Sequence, residues 1–283
     1  MKIRLVTDST TDLSEAARGR VTVVPLTVRF GEEEYLDGVT IDHRRFYEKL
    51  VESDALPSTS QPSPEAFAKV YQEAIDQGEQ VLVITISSAL SGTYQSASIA
   101  AMEFPEGSVY VVDSKNATIA SGVLTDLALS LIDAGMSAGD IAKQLEEERE
   151  NVRLIALLDT LEFLKRGGRI SKTVAFAGGL LSIKPVICIE DGVIKTLGKA
   201  RGSKQGNNLL VQEIERCGGV DFSRPVMLGY TGLSDALLQK YITDSAALWE
   251  AHLPALRSTC IGSTIGTHAG PGAIAVAFFR KAN

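Results

Sequence analysis

Three short polar segments, far apart in the chain, carry the side chains best suited to chemistry. They are Thr59-Ser60-Gln61-Pro62, Ser91-Gly92-Thr93 and His268-Ala269-Gly270-Pro271-Gly272. They supply hydroxyls, one imidazole and glycine-rich backbone, but neither a metal-ligand cluster nor a pair of carboxylates. Such groups hold an anion more readily than they break a bond. Ser91-Gly92-Thr93 stands just ahead of a helical stretch starting near residue 94, where open amides and the helix dipole favour negative charge. An ordinary serine cap fits the same segment. A nucleophilic Ser91 with His268 as base is a third reading, that of a serine hydrolase. It lacks the G-x-S-x-G elbow, because the flanking positions are Ala89 and Thr93. His268 is expected in a glycine-dense turn between two strands, where its ring could donate to a carboxylate. The chain has only three histidines, His43, His252 and His268, which argues against a multi-histidine metal site.

The elements that must position these groups alternate in the first half of the chain. Residues 3–6, 81–86 and 109–112 are short, β-branched runs that fit buried parallel strands. They end in Thr7-Asp8-Ser9-Thr10, Ser87-Ser88 and Asp113-Ser114. Ligands of open parallel sheets bind beyond the carboxyl ends of the strands, so Ser9 and Ser114 join Ser60, Gly92 and Thr93 as a supporting shell. The alternative is that each simply caps a following helix. Residues 21–30 are strand-like, but Pro25 keeps them from the middle of a sheet. Ser63-Pro64-Glu65 has the cap, first-turn proline and acid of a helix start. Leu124, Leu127, Ala128 and Leu131 form a helical stripe suited to packing on a sheet.

The second half reads differently. Residues 186–189 and 193–197 flank Glu190-Asp191-Gly192, a β-hairpin signal. A strand at 226–231, a helix at 233–253 and strands at 259–265 and 274–279 follow. The expected fold is therefore two-domain α/β: an N-terminal open parallel sheet flanked by helices over residues 1–158, and a C-terminal α+β domain with a mixed or antiparallel sheet over 159–283. The ligand is expected between them or at their junction.

Composition narrows the function classes. The chain has 283 residues, 45% hydrophobic and 22% charged, with a formal net charge of -7. That balance argues against nucleic acid as the main partner. Three cysteines without C-x-x-C spacing suit neither a disulfide framework nor a zinc site. The N-terminal residues lack the apolar stretch of a signal peptide, and no run approaches the ~18 apolar residues of a membrane span. A cytoplasmic setting is the simplest expectation. Against the acidic total, Lys165, Arg166, Arg169 and Lys172, with Lys199, Arg201 and Lys204, form a basic concentration suited to an acidic partner or a solvated face. Residues 167–173 are not a P-loop, since Ser171 precedes Lys172-Thr173 where glycine is required.

Seven motifs in order give the chain a more specific resemblance: Val6-Thr7-Asp8-Ser9-Thr10, Val24-Pro25-Leu26, Tyr35-Leu36-Asp37-Gly38, Thr59-Ser60-Gln61-Pro62-Ser63, Ser91-Gly92-Thr93-Tyr94-Gln95-Ser96-Ala97, Leu164-Lys165-Arg166-Gly167-Gly168-Arg169-Ile170 and His268-Ala269-Gly270-Pro271-Gly272. Over essentially its whole length the chain resembles the DegV family, bacterial fatty-acid-binding proteins that act as the lipid-presenting subunit of fatty acid kinase. The resemblance implies a non-catalytic protein that encloses one long-chain fatty acid in an apolar tunnel and needs no cofactor. It implies that Thr59, Ser91 and His268 hold the carboxylate. It also implies a separate kinase, similar to dihydroxyacetone kinases, that phosphorylates the bound acid to an acyl phosphate. Arg166, Arg169 and Arg201 would contact that kinase. Such a protein needs no transmembrane segment, although transient membrane contact to exchange lipid would suit it. One departure is Ala275, which stands where glycine is common in the family.

Overall fold

The computed structural model describes residues 2–53, 55–170 and 183–281. Its strands, in chain order, are β1 (Ile3–Asp8), β2 (Val21–Val24), β3 (Thr27–Phe30), β4 (Glu33–Leu36), β5 (Ser58–Ser60), β6 (Gln80–Thr85), β7 (Val109–Asp113), β8 (Val152–Leu157), β9 (Ile183–Glu190), β10 (Val193–Arg201), β11 (Val226–Tyr230), β12 (Arg257–Cys260) and β13 (Ile274–Phe279). They form three sheets. A parallel sheet has the order β2-β1-β6-β7, a six-stranded mixed sheet the order β10-β9-β8-β13-β11-β12, and a small antiparallel sheet the order β4-β3-β5.

The fold class is the expected one: an open parallel sheet with helices, followed by a mixed sheet. Pro25 acts as anticipated. It ends β2 at the edge of the parallel sheet, and the chain re-enters as β3 of the small sheet. The hairpin at Asp191-Gly192 forms, with both residues at positive φ (53° and 79°), as a twisted two-residue turn requires. β8 precedes residue 158 yet pairs with β9 and β13, so the change from one sheet to the other falls ahead of it. The helix Thr118–Asp133 supplies buried residues to a core shared by both large sheets, where Val123 and Leu124 pack with Leu82, Leu154 and Ala277.

Two expectations are corrected. Residues 259–265 are not one strand: β12 stops at Cys260, and Ser263–Ala269 is a helix. His268 therefore lies in a helical last turn, not in a loop between strands. The expected helix over 233–253 is broken at Ser245 into Ala236–Asp244 and Ala246–Trp249, followed by a 3₁₀ segment containing Pro254, which lacks the amide an α-helix would need there.

In the six-stranded sheet, side chains alternate between faces. Ile155, Leu157, Val186, Val276 and Phe278 pack on one face with Leu210, Leu238 and Trp249. Leu154, Ala156, Ile187, Ile189 and Ala275 take the opposite face, toward the parallel sheet. Ala156 and Ala275 are directly paired across β8 and β13. Two methyl side chains side by side leave space that larger residues would fill.

Candidate functional site

That space opens into a cavity at the junction of the three sheets. The carboxyl-end loops of the parallel sheet contribute Thr10 and Ile86, the small sheet contributes Thr59, and the mixed sheet contributes the alanines and Ile187, Ile189 and Ile194. The helix Ser263–Ala269 runs along one wall, presenting Thr264, Ile265, His268 and Ala269. Most of the lining is apolar. Four polar groups gather at one place: Thr59, Ser91, Arg169 and His268.

Their positions are fixed by contacts among distant segments. Thr59 is central in β5, held to Val28 of β3, and its hydroxyl is joined to His268 Nε2 by a 2.9 Å hydrogen bond. Ser91 Oγ lies 2.9 Å from Thr93 Oγ1, just ahead of the helix Thr93–Ala101. That helix starts on Gly92, which has no side chain to cap the first-turn amides. Arg169 donates through Nε to the Leu90 carbonyl (3.2 Å) and through Nη1 to the Gly167 carbonyl (2.6 Å). Its guanidinium is thus pinned beside Ser91, and it is the one charged side chain among the described cavity-lining residues.

Glycines make these approaches possible. A Cβ on Gly92 would sit 2.3 Å from Gln61 Oε1, and one on Gly167 would sit 2.2 Å from His268 Nδ1. The glycine of one motif leaves room for the side chain of the next. Burial and the neighbouring Arg169 charge hold the His268 pKa down to about 4, so the ring is neutral near pH 7. Its Nδ1 has no partner among the described residues.

The helix bearing His268 is anchored by two buried carboxylates. Asp37 accepts hydrogen bonds from the amides of Ser263 (3.1 Å) and Thr264 (3.0 Å). Asp12 accepts from the Gly262 amide (2.8 Å) and from the Thr118 hydroxyl (2.6 Å). Neither aspartate has a role legible in the sequence, although Asp37 falls in the Tyr35-Leu36-Asp37-Gly38 motif; the partners of each lie more than 100 positions away.

Other expected residues take other places. Thr93 is buried beside Ser91. Ser60 is exposed, as alternation along β5 demands once Thr59 faces inward. Ser9 accepts from the Leu26 amide, and Ser114 bonds Asn116 and Ser121; neither lines the cavity. The polar rim of the parallel sheet is largely stitched to itself, with Asp8 accepting from the Ile86 amide and Ser88 donating to Asp113. Arg166 and Arg201 are exposed, Arg166 being paired with Glu162. Arg169, expected to contact the kinase, is half-buried and lines the cavity wall. Lys172 lies outside the described residues. The serine-hydrolase arrangement is not assembled. Ser91 pairs with Thr93, His268 pairs with Thr59, and Asp8 and Asp113 are engaged elsewhere.

The family model described as "Uncharacterised protein, DegV family" matches residues 2–281. The chain belongs to the DegV family. A DegV domain-containing protein of Deinococcus radiodurans is 38% identical over 98% of both chains. Among solved structures, a DegV family protein of Thermus thermophilus, described by its fatty acid binding, is 36% identical with a TM-score of 0.86, covering 99% of this chain and all of that one. A stearic acid-binding protein of Eubacterium ventriosum is 30% identical with a TM-score of 0.85, covering 99% of each chain. Ala275 lines the cavity wall. No helix among the described residues is long and apolar enough to cross a membrane.

Proposed function

We propose that this DegV protein binds one long-chain fatty acid, with its carboxylate at Thr59, Ser91 and Arg169 and its acyl chain in the cavity. The observation that carries this reading is the Thr59–His268 hydrogen bond at the polar end of an otherwise apolar cavity. The cavity walls are mostly apolar with a few converging polar groups, the usual make-up of a small-molecule site. Each buried methylene would contribute about 0.8 kcal/mol, so the chain supplies most of the affinity and the polar end fixes orientation.

His268 acts through Thr59 in this reading. A buried Nδ1 without a partner is less costly as a lone pair than as an unmet donor. The proton then sits on Nε2 and is donated to the Thr59 oxygen, which leaves the Thr59 hydroxyl hydrogen free for the ligand carboxylate. Arg169 supplies the positive charge that a buried carboxylate requires.

The protein has no catalytic step of its own in this reading. It presents the acid to a separate kinase, similar to dihydroxyacetone kinases, for conversion to an acyl phosphate. The family resemblance supports that partnership, and exposed Arg166 and Arg201 are compatible with a docking face. The chain divides into two domains with the ligand at their junction; pairing of β8 in the mixed sheet supports a division just before residue 152.

The test is mass spectrometry of an organic extract of the purified protein, followed by binding measurements. A long-chain fatty acid is expected in the extract. Thr59→Ala and Ser91→Ala are each expected to weaken its binding by about 0.5–1.5 kcal/mol. Absence of any lipid together with unchanged affinity in both variants would overturn the reading. Ester hydrolysis lost in Ser91→Ala would replace it with the hydrolase.

A further inference from the structure

Three threonines line the cavity away from its charged end: Thr10, Thr118 and Thr264, exposed by only 0%, 4% and 3%. Their hydroxyls are not equivalent. Thr10 donates to the Asp8 carboxylate and Thr118 to the Asp12 carboxylate, so both protons are committed and lone pairs remain. The Thr264 hydroxyl has no partner among the described residues, an unfavourable state for a buried polar atom that calls for an explanation. Thr264 precedes His268 by four residues on one helix face, about 6 Å along the axis.

The group is held together and under strain. The Thr118 amide donates to the Thr10 carbonyl (3.0 Å), and Asp12 ties Thr118 to Gly262, two residues before Thr264. Thr118 has φ +52°, a left-handed conformation that β-branched residues avoid. Such strain persists where surrounding structure enforces it, commonly at ligand sites.

A methylene beside these residues leaves the Thr264 hydroxyl unpaired. A keto or ether oxygen can accept from Thr264 but has nothing to give to the lone pairs of Thr10 and Thr118. A hydroxyl does both. We propose that Thr10, Thr118 and Thr264 form a second polar subsite inside the acyl cavity, selecting a fatty acid that carries a hydroxyl a few carbons from its carboxylate. This rests on the fatty-acid reading above. The 6 Å offset from His268 corresponds to roughly three to six chain atoms at C–C bonds of about 1.5 Å.

The test uses delipidated full-length protein and two kinds of probe: palmitic acid, and palmitic acids hydroxylated singly between C3 and C6. At least one hydroxylated acid is expected to bind about threefold to tenfold tighter, the effect of one net hydrogen bond. Thr264→Val, which keeps the shape and removes the hydroxyl, is expected to abolish that difference while leaving palmitic acid bound as well or better. Thr264→Ser is expected to retain it, which keeps the test decisive should the valine variant fold poorly. Binding of palmitic acid with no gain from any hydroxyl overturns this proposal alone. A preference that survives Thr264→Val, or equal loss of both ligands, overturns it too. Failure of wild-type protein to bind either acid overturns the fatty-acid reading and this proposal with it.

Discussion

Substituting Gly167 by alanine probes the link between two motifs 100 positions apart. The backbone at Gly167 is right-handed helical (φ -70°, ψ -12°), so alanine is tolerated conformationally and, by restricting the unfolded chain, would by itself favour folding slightly. The only obstacle is space: the new Cβ would lie 2.2 Å from His268 Nδ1 and 3.2 Å from the Phe163 carbonyl. Reaching ordinary contact at about 3.4 Å means moving the imidazole by roughly 1.2 Å (3.4 − 2.2). A 2.9 Å bond to Thr59 does not survive a shift of that size. The expected cost to ligand binding is about 1–2 kcal/mol, or roughly fivefold to thirtyfold in Kd. The assay is a double-mutant cycle of Gly167→Ala with His268→Ala, read by fatty-acid affinity and by thermal melting. If the two residues act through contact, Gly167→Ala is costly alone and nearly neutral once His268 is gone. Full additivity would refute the argument that this glycine exists to admit the imidazole.

Two further outcomes follow from the buried titrating groups. Folded His268 resists protonation down to about pH 4, while the unfolded chain takes up that proton below about 6.5, so its contribution to stability is lost as pH falls through this window. The size is up to about 3 kcal/mol. Asp12, whose pKa burial raises to about 7, slopes the other way between roughly pH 4 and 7, so the His268 effect is isolated as the difference between wild type and His268→Asn in denaturant melts. The variant should gain on the wild type as pH drops from 6.5 to 4, and a constant difference would sink the assignment. Asp37→Ala should cost about 1–2 kcal/mol of stability by uncapping the His268 helix. It should also loosen ligand binding through His268; a fully wild-type melt and affinity would show that Asp37 does not position this helix.

The polar end of the site was legible because its residues form compact strings whose hydroxyls, glycines and histidine stand out. The apolar cavity was not. Leu154-Ile155-Ala156-Leu157, not among the strands expected from sequence, is a strand buried on both faces, and nothing in its pattern says that one face meets a packed helix layer and the other an open space. The difference lies in size, in Ala156 opposite Ala275, and that pairing exists only once β8 and β13 are neighbours. The helix at Ser263-Thr264-Ile265 was misread because β-branched residues favour strands, while its cap, Asp37, comes from 226 positions away. Arg169 was read as surface charge because charge clustering alone carries no direction. What turns it inward is a pair of backbone carbonyls, Leu90 and Gly167.

The same geometry explains why these motifs occur together. Gly92 makes room for Gln61, Gly167 for His268, Gly266 for Tyr47 and Gly270 for Phe163, each at a Cβ distance of 2.2–2.6 Å that no side chain could occupy. Gln61 then donates to Ser96, and Tyr47 donates to the Ile261 carbonyl at the start of the His268 helix. Each motif is thus completed by another from a different part of the fold. A single glycine replaced in one segment displaces a side chain in a second, and the displaced side chain is one that holds the cavity's polar end or the helix beside it. The candidate site is a property of the interlocked set, which is why each string read alone was ambiguous between a helix cap and a ligand clamp.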